Sequence, residues 1–315
     1  MDASISIARI RDAGNVVDPA FLNSPQFGCE PLSERLGVST VLKVESVNPI
    51  RSFKGRGADY LLHSLGSGTA PIVCASAGNF GQGMAFACRK RNVPITVFAA
   101  TTANPLKIDR MRALGANVEL HGDDFDQAKD AAKRHATERG ELYVEDGKLG
   151  AIGEGAGTIA LELTRDFELD AIFVPLGNGS LVNGVGTWLK HESPRTRVIA
   201  VCAEDAPSMA ISWRRHAAVD APSSTIADGI AVRVPVREAV EIMIATVDEV
   251  MLVDDNEMRT WMRHLFIDAG LVIEPAGAAG VAAIAKTARA WDGKRVATIL
   301  TGGNLTEQQV KDWLY

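Results

Sequence analysis

Lys54 stands in a setting that is unusual for a lysine. It lies between Phe53 and Gly55 in the run Ser52–Ala58, and a second cation follows at Arg56. Apolar surroundings and a neighbouring cation lower the pKa of a lysine amine, which leaves a free amine available for Schiff-base chemistry. Most lysines are solvated surface charges, so this interpretation depends on finding other groups that would serve the same chemistry.

A glycine loop that could hold a phosphate follows the apolar run Ala171–Leu176. The loop consists of Gly177, Asn178, Gly179, Ser180 and Leu181. A helix is predicted to begin at Ser180, where backbone N–H groups and the helix dipole would converge on an anion. Val182 stands where the dinucleotide pattern G-x-G-x-x-G requires glycine, and no Gly-Lys-Ser/Thr follows. The loop therefore fits either a single phosphate group or a plain tight turn.

A second loop combines small residues with an asparagine ahead of a predicted helix. It consists of Ser76, Ala77, Gly78, Asn79 and Phe80. Its backbone could hold a carboxylate, although Ser and Asn are also favoured at such a place as simple helix caps. A third turn, Leu300–Asn304, ends the last predicted strand with the hydroxyl of Thr301. An aldehyde-linking lysine, a phosphate loop and a hydroxyl partner for a pyridine nitrogen together indicate pyridoxal 5′-phosphate (PLP) as the cofactor.

Short β-branched runs alternate with glycine loops and amphipathic stretches, which is typical of βαβ units and a mostly parallel sheet. The first block contains predicted strands at 71–75, 95–100 and 117–120 and helices at 82–91, 105–114 and 125–138. The second contains strands at 171–176, 198–203 and 295–300 and helices at 155–166, 180–190, 256–269, 276–290 and 306–314. A helix is also predicted to begin near Ala58. The less regular segment 205–234 is predicted to run beside the site, and 315 residues suggest about two domains.

Composition and charge exclude several function classes. A net charge of −6 argues against a nucleic-acid partner, which would require a basic face. No stretch reaches the ~18 apolar residues of a membrane span, and the first residues lack the basic and apolar parts of an export signal. The four cysteines form no C-x-x-C pair and are predicted to be reduced, buried thiols. We therefore expect a cytoplasmic protein without a membrane partner.

Seven motifs in this sequence resemble, in the same order, those of the fold type II PLP enzymes. They are SFKGRGA, SAGNFGQG, GTIALEL, VPLGNGSLVNG, TIADG, EPAGAAGVAA and TGGN. Within that fold the chain resembles the threonine/serine dehydratase (ammonia-lyase) and serine racemase branch, from about Leu32 to Asn304. The resemblance implies a two-domain α/β fold like the tryptophan synthase β subunit, each domain a mostly parallel twisted sheet flanked by helices. It implies a large PLP-binding domain (1–66 plus 149–315) and a small substrate-loop domain (67–148).

The same resemblance implies roles for individual residues. Lys54 would form the covalent link to the cofactor, and Phe53 would pack against its ring. Asn79 would donate to the 3′-oxygen, while the loop from Ser76 through Ala77, Gly78 and Asn79 to Phe80 would hold the substrate carboxylate. The backbone of Gly177, Asn178, Gly179, Ser180 and Leu181 would bind the phosphate. Thr301 would meet the pyridine nitrogen.

The hydroxyl of Thr301 has a chemical consequence, because it cannot keep the ring nitrogen protonated as a carboxylate would. The ring is then a weaker electron sink, which favours β-elimination over transamination. In the implied cycle Lys54 removes the Cα proton, and the β-hydroxyl leaves after protonation through the cofactor phosphate. The expected function is an ammonia-lyase (dehydratase) that converts a serine-like or threonine-like amino acid to a 2-oxo acid and ammonia. The alternatives are a β-replacement synthase, an amino-acid racemase, and a non-catalytic PLP or amino-acid binding protein.

Several positions depart from the pattern of this branch. Ala77 replaces the serine whose hydroxyl delivers a proton in racemases, which disfavours racemisation. Phe80 also differs, which indicates a different pocket shape, and the changes at Glu154 and Ala156 indicate a substrate other than plain serine or threonine. Relatives that bind a divalent cation pair a glutamate with an aspartate six residues later. Here the residue six positions after Glu204 is Ala210, so no metal is predicted. We expect a homodimer, as in many relatives, and no isoleucine feedback control, because the sequence stops at Tyr315.

Overall fold

The computed structural model describes residues 2–315, which contain ten β-strands and thirteen α-helices. The strands are β1 (Gln26–Gly28), β2 (Ser39–Val44), β3 (Ile72–Ala75), β4 (Ile95–Ala99), β5 (Asn117–Leu120), β6 (Leu142–Val144), β7 (Ala171–Pro175), β8 (Arg197–Ala203), β9 (Glu249–Val253) and β10 (Arg295–Leu300). The helices are α1 (Ile7–Val16), α2 (Glu30–Leu36), α3 (Lys54–Leu65), α4 (Asn79–Arg91), α5 (Pro105–Ala113), α6 (Phe125–Arg139), α7 (Gly150–Asp166), α8 (Ser180–Glu192), α9 (Ser208–Arg215), α10 (Arg237–Thr246), α11 (Asp255–Ala269), α12 (Pro275–Thr287) and α13 (Glu307–Leu314).

The strands form two sheets. The larger has the order β1-β2-β10-β7-β8-β9 and is parallel except for β1, which pairs antiparallel with β2. The smaller has the order β5-β4-β3-β6 and is parallel throughout, and its four strands all lie between residues 67 and 148. The predicted α/β class with mostly parallel sheets is therefore confirmed, with β1 as the antiparallel exception.

The central strands are apolar because both of their faces are covered by helices. Every residue of β7 is buried, as are the last five residues of β10. At the sheet edge, by contrast, β5 leaves most of its residues exposed. Phe173 of β7 packs with the alanines of α12 in one core, and Ile172 packs with the apolar face of α8 in another. The larger sheet therefore carries a hydrophobic layer on each side.

Local signals set several helix ends where the sequence places them. The side chain of Asn104 caps α5 by accepting from the Leu106 amide, and Pro105 occupies the first turn. A capping box of Asp254 and Glu257 precedes α11, which begins at Asp255, one residue before the predicted start. The segment 205–234 contains α9 as well as a short 3-10 turn at Asp228–Ile230, so it is more ordered than predicted.

Parallel strands bring their carboxyl ends to one edge of a sheet, where ligand sites of α/β proteins usually lie. Three loops of interest follow such ends: β3 ends at Ala75, β7 at Pro175 and β10 at Leu300. The fold thereby brings together loops that are more than 200 residues apart in the chain. No helix among residues 2–315 is long and apolar enough to cross a membrane.

Candidate active site

Lys54 is the first residue of α3, not part of a loop before a helix at Ala58, so the predicted helix start is wrong by one turn. The amide of Phe53 donates to the Thr301 carbonyl at 3.1 Å, which fixes the start of α3 against the end of β10. The Lys54 side chain is 13% exposed. Its Nζ atom lies 4.6 Å from the centre of the Phe53 ring. The amine is therefore held in a partly apolar, mostly enclosed position.

Arg56 does not act as the second cation beside Lys54. Its guanidinium is fully buried and binds Glu45 at 2.8 Å and Glu162 at 2.7 Å. Lys43 donates to the other oxygen of Glu162 at 2.5 Å, which completes a buried cluster of two cations and two carboxylates. The suggestion that Arg56 tunes the Lys54 amine is thus not supported, because two carboxylates balance the Arg56 charge.

The glycine loop after β7 has the geometry of an anion site. Gly179 adopts φ 93°, a left-handed conformation that strains residues with a Cβ, and α8 begins at the next residue, Ser180. The first amides of a helix have no partner within the helix, so those of α8 remain available for a ligand. The Ser180 hydroxyl lies 3.5 Å from Lys54 Nζ. The loop and the lysine amine therefore belong to one site.

The loop after β3 is shaped by the hydroxyl of Ser76. This oxygen accepts from the amides of Gly78 at 3.2 Å and Gly81 at 2.9 Å, while α4 begins at Asn79 instead of the predicted Gln82. The Asn79 side chain donates to Glu274 at 2.6 Å and accepts from Asn304 at 2.8 Å. An amide group carries two N–H donors, so Asn79 retains one for a ligand.

One cavity of about 400 Å³ unites these loops. Every residue predicted for the site lines it: Phe53, Lys54, Ser76, Ala77, Gly78, Asn79, Phe80, Gly177, Asn178, Gly179, Ser180, Leu181 and Thr301. The 3-10 turn at Asp228–Ile230 and the residues that follow also line the cavity, which agrees with the prediction that segment 205–234 runs beside the site. The individual roles of these residues stay predictions.

Nine charged residues that line the cavity were not identified from the sequence. Four of them are Lys107, Asp146, Asp228 and Glu274. Lys107 forms an ion pair with Asp228 and lies 4.0 Å from Glu274. Burial raises the pKa of Glu274, and the charge of Lys107 offsets this only in part. Asp228 and Glu274 fall within the TIADG and EPAGAA motifs, whereas no local pattern marks Lys107 or Asp146.

The mouth of the cavity carries a further ion pair. Arg233, which follows the 3-10 turn, binds Asp126 in the first turn of α6 and lies 3.6 Å from Asp124. All three line the cavity. This contact joins a loop beside the larger sheet to a helix beside the smaller one.

Glu154 and Ala156 do not line the cavity, so these two residues do not select the substrate by direct contact. Glu154 is buried in α7, where its carboxylate accepts from the Ser6 amide at 2.9 Å and from Arg9 at 2.6 Å. Burial raises the pKa of Glu154, and Arg9 opposes the shift. This residue anchors the amino-terminal segment. Ala77 and Phe80, the other two departures, do line the cavity.

Comparison with known proteins decides the family. Residues 17–302 match the family described as pyridoxal-phosphate dependent enzyme. The chain belongs to this family. The fold type II resemblance and the PLP cofactor are thereby confirmed, and the amine, phosphate loop and strand-end hydroxyl around one cavity fit that group.

Individual relatives narrow the comparison. The L-threonine ammonia-lyase of Thermotoga maritima is 37% identical over 87% of this chain and 69% of its own length. The mitochondrial threonine dehydratase of Saccharomyces cerevisiae is 34% identical, and the match covers 81% of this chain but only 46% of the yeast protein. The structure of maize serine racemase superposes with a TM-score of 0.91 at 25% identity, covering 98% of this chain and 96% of that one. The predicted dehydratase and racemase branch of the PLP family is therefore the one that this chain resembles.

Proposed function

We propose that this PLP enzyme is an ammonia-lyase that eliminates water from a β-hydroxy amino acid of the serine or threonine type. The products would be a 2-oxo acid and ammonia. The observation that carries the proposal is the position of Lys54 Nζ, 3.5 Å from Ser180 Oγ in a cavity that Ala77, Asn79 and Thr301 also line. The threonine ammonia-lyase and threonine dehydratase relatives support the same activity.

When bound, PLP links to the amino group of the substrate and withdraws electrons from Cα, which makes the Cα proton removable. Lys54 supplies the base. Its amine is mostly enclosed and lines the cavity, so it can take the Cα proton and pass it to a neighbouring group. The ring of Phe53 restricts where the amine can move.

The loop Ser76–Phe80 orients the substrate. The Ser76 hydroxyl already accepts from the amides of Gly78 and Gly81, which leaves the amides of Asn79 and Phe80 at the start of α4 for a ligand. These amides would bind the substrate carboxylate, and the free N–H of Asn79 would donate to the 3′-oxygen of the cofactor. The amides at the start of α8 would bind the phosphate.

Thr301 supports elimination over transamination. It directly follows β10 and lines the cavity as a buried residue, and a threonine hydroxyl cannot stabilise a protonated ring nitrogen as a carboxylate would. Ala77 supports elimination over racemisation, because its methyl group cannot deliver a proton to the other face of Cα.

The finer organisation is part of the same proposal. We place the large domain at 1–66 plus 149–315 and the small domain at 67–148, in keeping with the division of the strands between the two sheets. The four cysteines are unpaired and buried, as is usual in a reducing compartment such as the cytoplasm. The proposed homodimer follows the resemblance, and light scattering of the purified protein would test it.

The test is turnover of a panel of β-hydroxy amino acids by the purified holoenzyme. We expect 2-oxo acid and ammonia in equal amounts without any second nucleophile. Lys54→Ala should abolish both products and the visible absorbance of the lysine-linked cofactor. Product that appears only with an added thiol would replace the proposal with β-replacement, and accumulation of the D-amino acid would replace it with racemisation. An unchanged spectrum in Lys54→Ala would contradict the assignment of the lysine.

A further inference from the structure

Asp146 is the carboxylate that contacts the catalytic amine. Its Oδ2 atom lies 2.6 Å from Lys54 Nζ, and its side chain is 8% exposed. Its other oxygen, Oδ1, is buried and has no hydrogen-bond partner among residues 2–315. The carboxylate is therefore held by Lys54 alone. Accepting a proton from Nζ would break no other hydrogen bond of this group.

The chain holds Asp146 in this place by a close contact with the phosphate loop. Asp146 follows β6, and the next residue, Gly147, adopts φ 86°. A Cβ at Gly147 would collide with the carbonyl oxygen of Asn178 in the phosphate loop, so only glycine fits there. The turn thus fixes Asp146 between Lys54 and the loop that would bind the cofactor phosphate.

The other carboxylates around the cavity already have partners. These pairs are Glu145 with Lys129, Asp228 with Lys107, Asp124 and Asp126 with Arg233, and Glu274 with Asn79. Glu145, one residue from Asp146, therefore carries the same charge in the same turn without contacting the amine. This makes it a matched control.

Elimination of water requires a proton for the departing oxygen, because hydroxide is a poor leaving group. Building on the proposed function, we propose that Asp146 is a catalytic residue that carries the Cα proton from Lys54 to the leaving hydroxyl. The short contact between Nζ and Oδ2 lies within the reach that proton transfer needs.

The step balances without any further reactant. Lys54 Nζ takes the Cα proton, and the ammonium passes it to Asp146 Oδ2. The resulting carboxylic acid gives the proton to the β-oxygen as the Cβ–O bond breaks with its electron pair. The electron pair of the former Cα–H bond becomes the second bond between Cα and Cβ. Water leaves, and Lys54 and Asp146 return to the amine and carboxylate with which they began.

The test compares leaving groups. In Asp146→Asn the amide can still contact Lys54 but cannot carry a proton. With a β-hydroxy amino acid we expect kcat to fall by about 10²-fold or more. With β-chloroalanine, whose chloride needs no proton, kcat should fall by only about threefold, since a weakened contact to the base is a small loss. The visible absorbance of the bound cofactor and its dissociation constant should stay close to wild type.

Three outcomes would overturn this role. Equal losses on both substrates would show that Asp146 only positions Lys54, and no loss on either would leave the proton to another donor such as the cofactor phosphate. A selective loss in the control Glu145→Gln would show that the effect is a general one of charge. Wild-type protein that eliminates chloride but never water would instead contradict the proposed function itself, and with it this role.

A second variant covers the case in which Asp146→Asn binds no cofactor. In Asp146→Ala, added formate can enter the space of the missing carboxylate. Formate should restore turnover of the hydroxy amino acid at least about tenfold while leaving β-chloroalanine turnover unchanged, because it supplies a proton carrier and nothing else. A failure of formate to distinguish the two substrates would also count against the role.

Discussion

The side-chain amide of Asn79 donates to the carboxylate of Glu274 at 2.6 Å, across 195 residues of sequence. The second oxygen of Glu274 accepts from the backbone amide of Asn304 at 3.2 Å, and the Asn304 side chain donates to the side-chain oxygen of Asn79 at 2.8 Å. This closed ring joins the loop after β3 to the start of α12 and the turn after β10. Asn79 is therefore oriented before any cofactor binds.

The pH dependence of stability should reveal Glu274. Burial raises its pKa in the folded protein, so the folded state holds this proton more tightly than the unfolded chain. The resulting stabilisation is full below the unfolded pKa of about 4.3 and is lost as pH rises through the folded value. Relative to Glu274→Gln, the wild-type free energy of unfolding should decline with rising pH in that range. Denaturant titrations at several pH values measure this, and parallel curves for the two proteins would contradict it.

For Glu162, the contribution to the free energy of unfolding should change with pH in the opposite direction. Burial acts to raise its pKa, but its contacts with Arg56 and Lys43 outweigh burial and hold the pKa below the ordinary value. Its contribution to stability is therefore present above the unfolded pKa and is lost as pH falls through the folded value. At neutral pH Glu162→Gln should lose about 3–5 kcal/mol of unfolding free energy, because it leaves buried cations underpaired.

The loss of unfolding free energy caused by Glu162→Gln should be smaller at acidic pH, and denaturant titrations at several pH values would measure this. A suitable control is Glu241→Gln, which removes an exposed partner of Arg237 and should change stability little. A Glu162→Gln loss that is independent of pH would argue that shape, and not charge, determines the effect.

Gly179→Ala should weaken cofactor binding. The substitution forces a Cβ into the left-handed conformation at φ 93° and places it 3.0 Å from the Ala239 side chain, so the phosphate loop must shift. Loss of one hydrogen bond to the phosphate would raise the PLP dissociation constant about tenfold. Gly37→Ala is the matched control, since Gly37 also has positive φ at 71° but lies at the end of α2 with open space around its Cβ. Both variants should lose about 1–2 kcal/mol of stability. Equal PLP affinity in the two would contradict a phosphate role for the loop.

Ala77→Ser should increase formation of the D-amino acid. Ala77 lines the cavity within the loop that would hold the substrate carboxylate, and a serine hydroxyl there can exchange a proton where a methyl group cannot. Chiral chromatography of the amino acid after partial turnover measures the change. Ala77→Gly alters the side chain without adding a hydroxyl and should yield no more D-isomer than wild type. A similar increase in both variants would attribute the effect to loop mobility.

Prediction of the elements from the sequence succeeded for apolar strands and failed at glycine-rich helix starts. Strand β10 matches its predicted bounds, because a continuous apolar or β-branched run carries a local signal. The starts of α3, α4 and α7 were placed several residues late. Glycine has low intrinsic helix propensity, yet close packing against neighbouring helices holds these residues in helical conformation.

The sequence by itself determined the cofactor, the α/β class, and the lysine and three loops that line the cavity. Those properties reside in short motifs, such as the loop Gly177–Leu181, whose backbone geometry follows from the local residue types. Tertiary structure alone decided which charges meet. Asp146 contacts Lys54 although the two are 92 residues apart in the sequence. Arg56 is neutralised by Glu45 and Glu162, and Glu154 accepts a hydrogen bond from the amino-terminal segment. The physical reason is that ion pairing depends on distance in space, and a single sequence carries no local signal for a partner on another element.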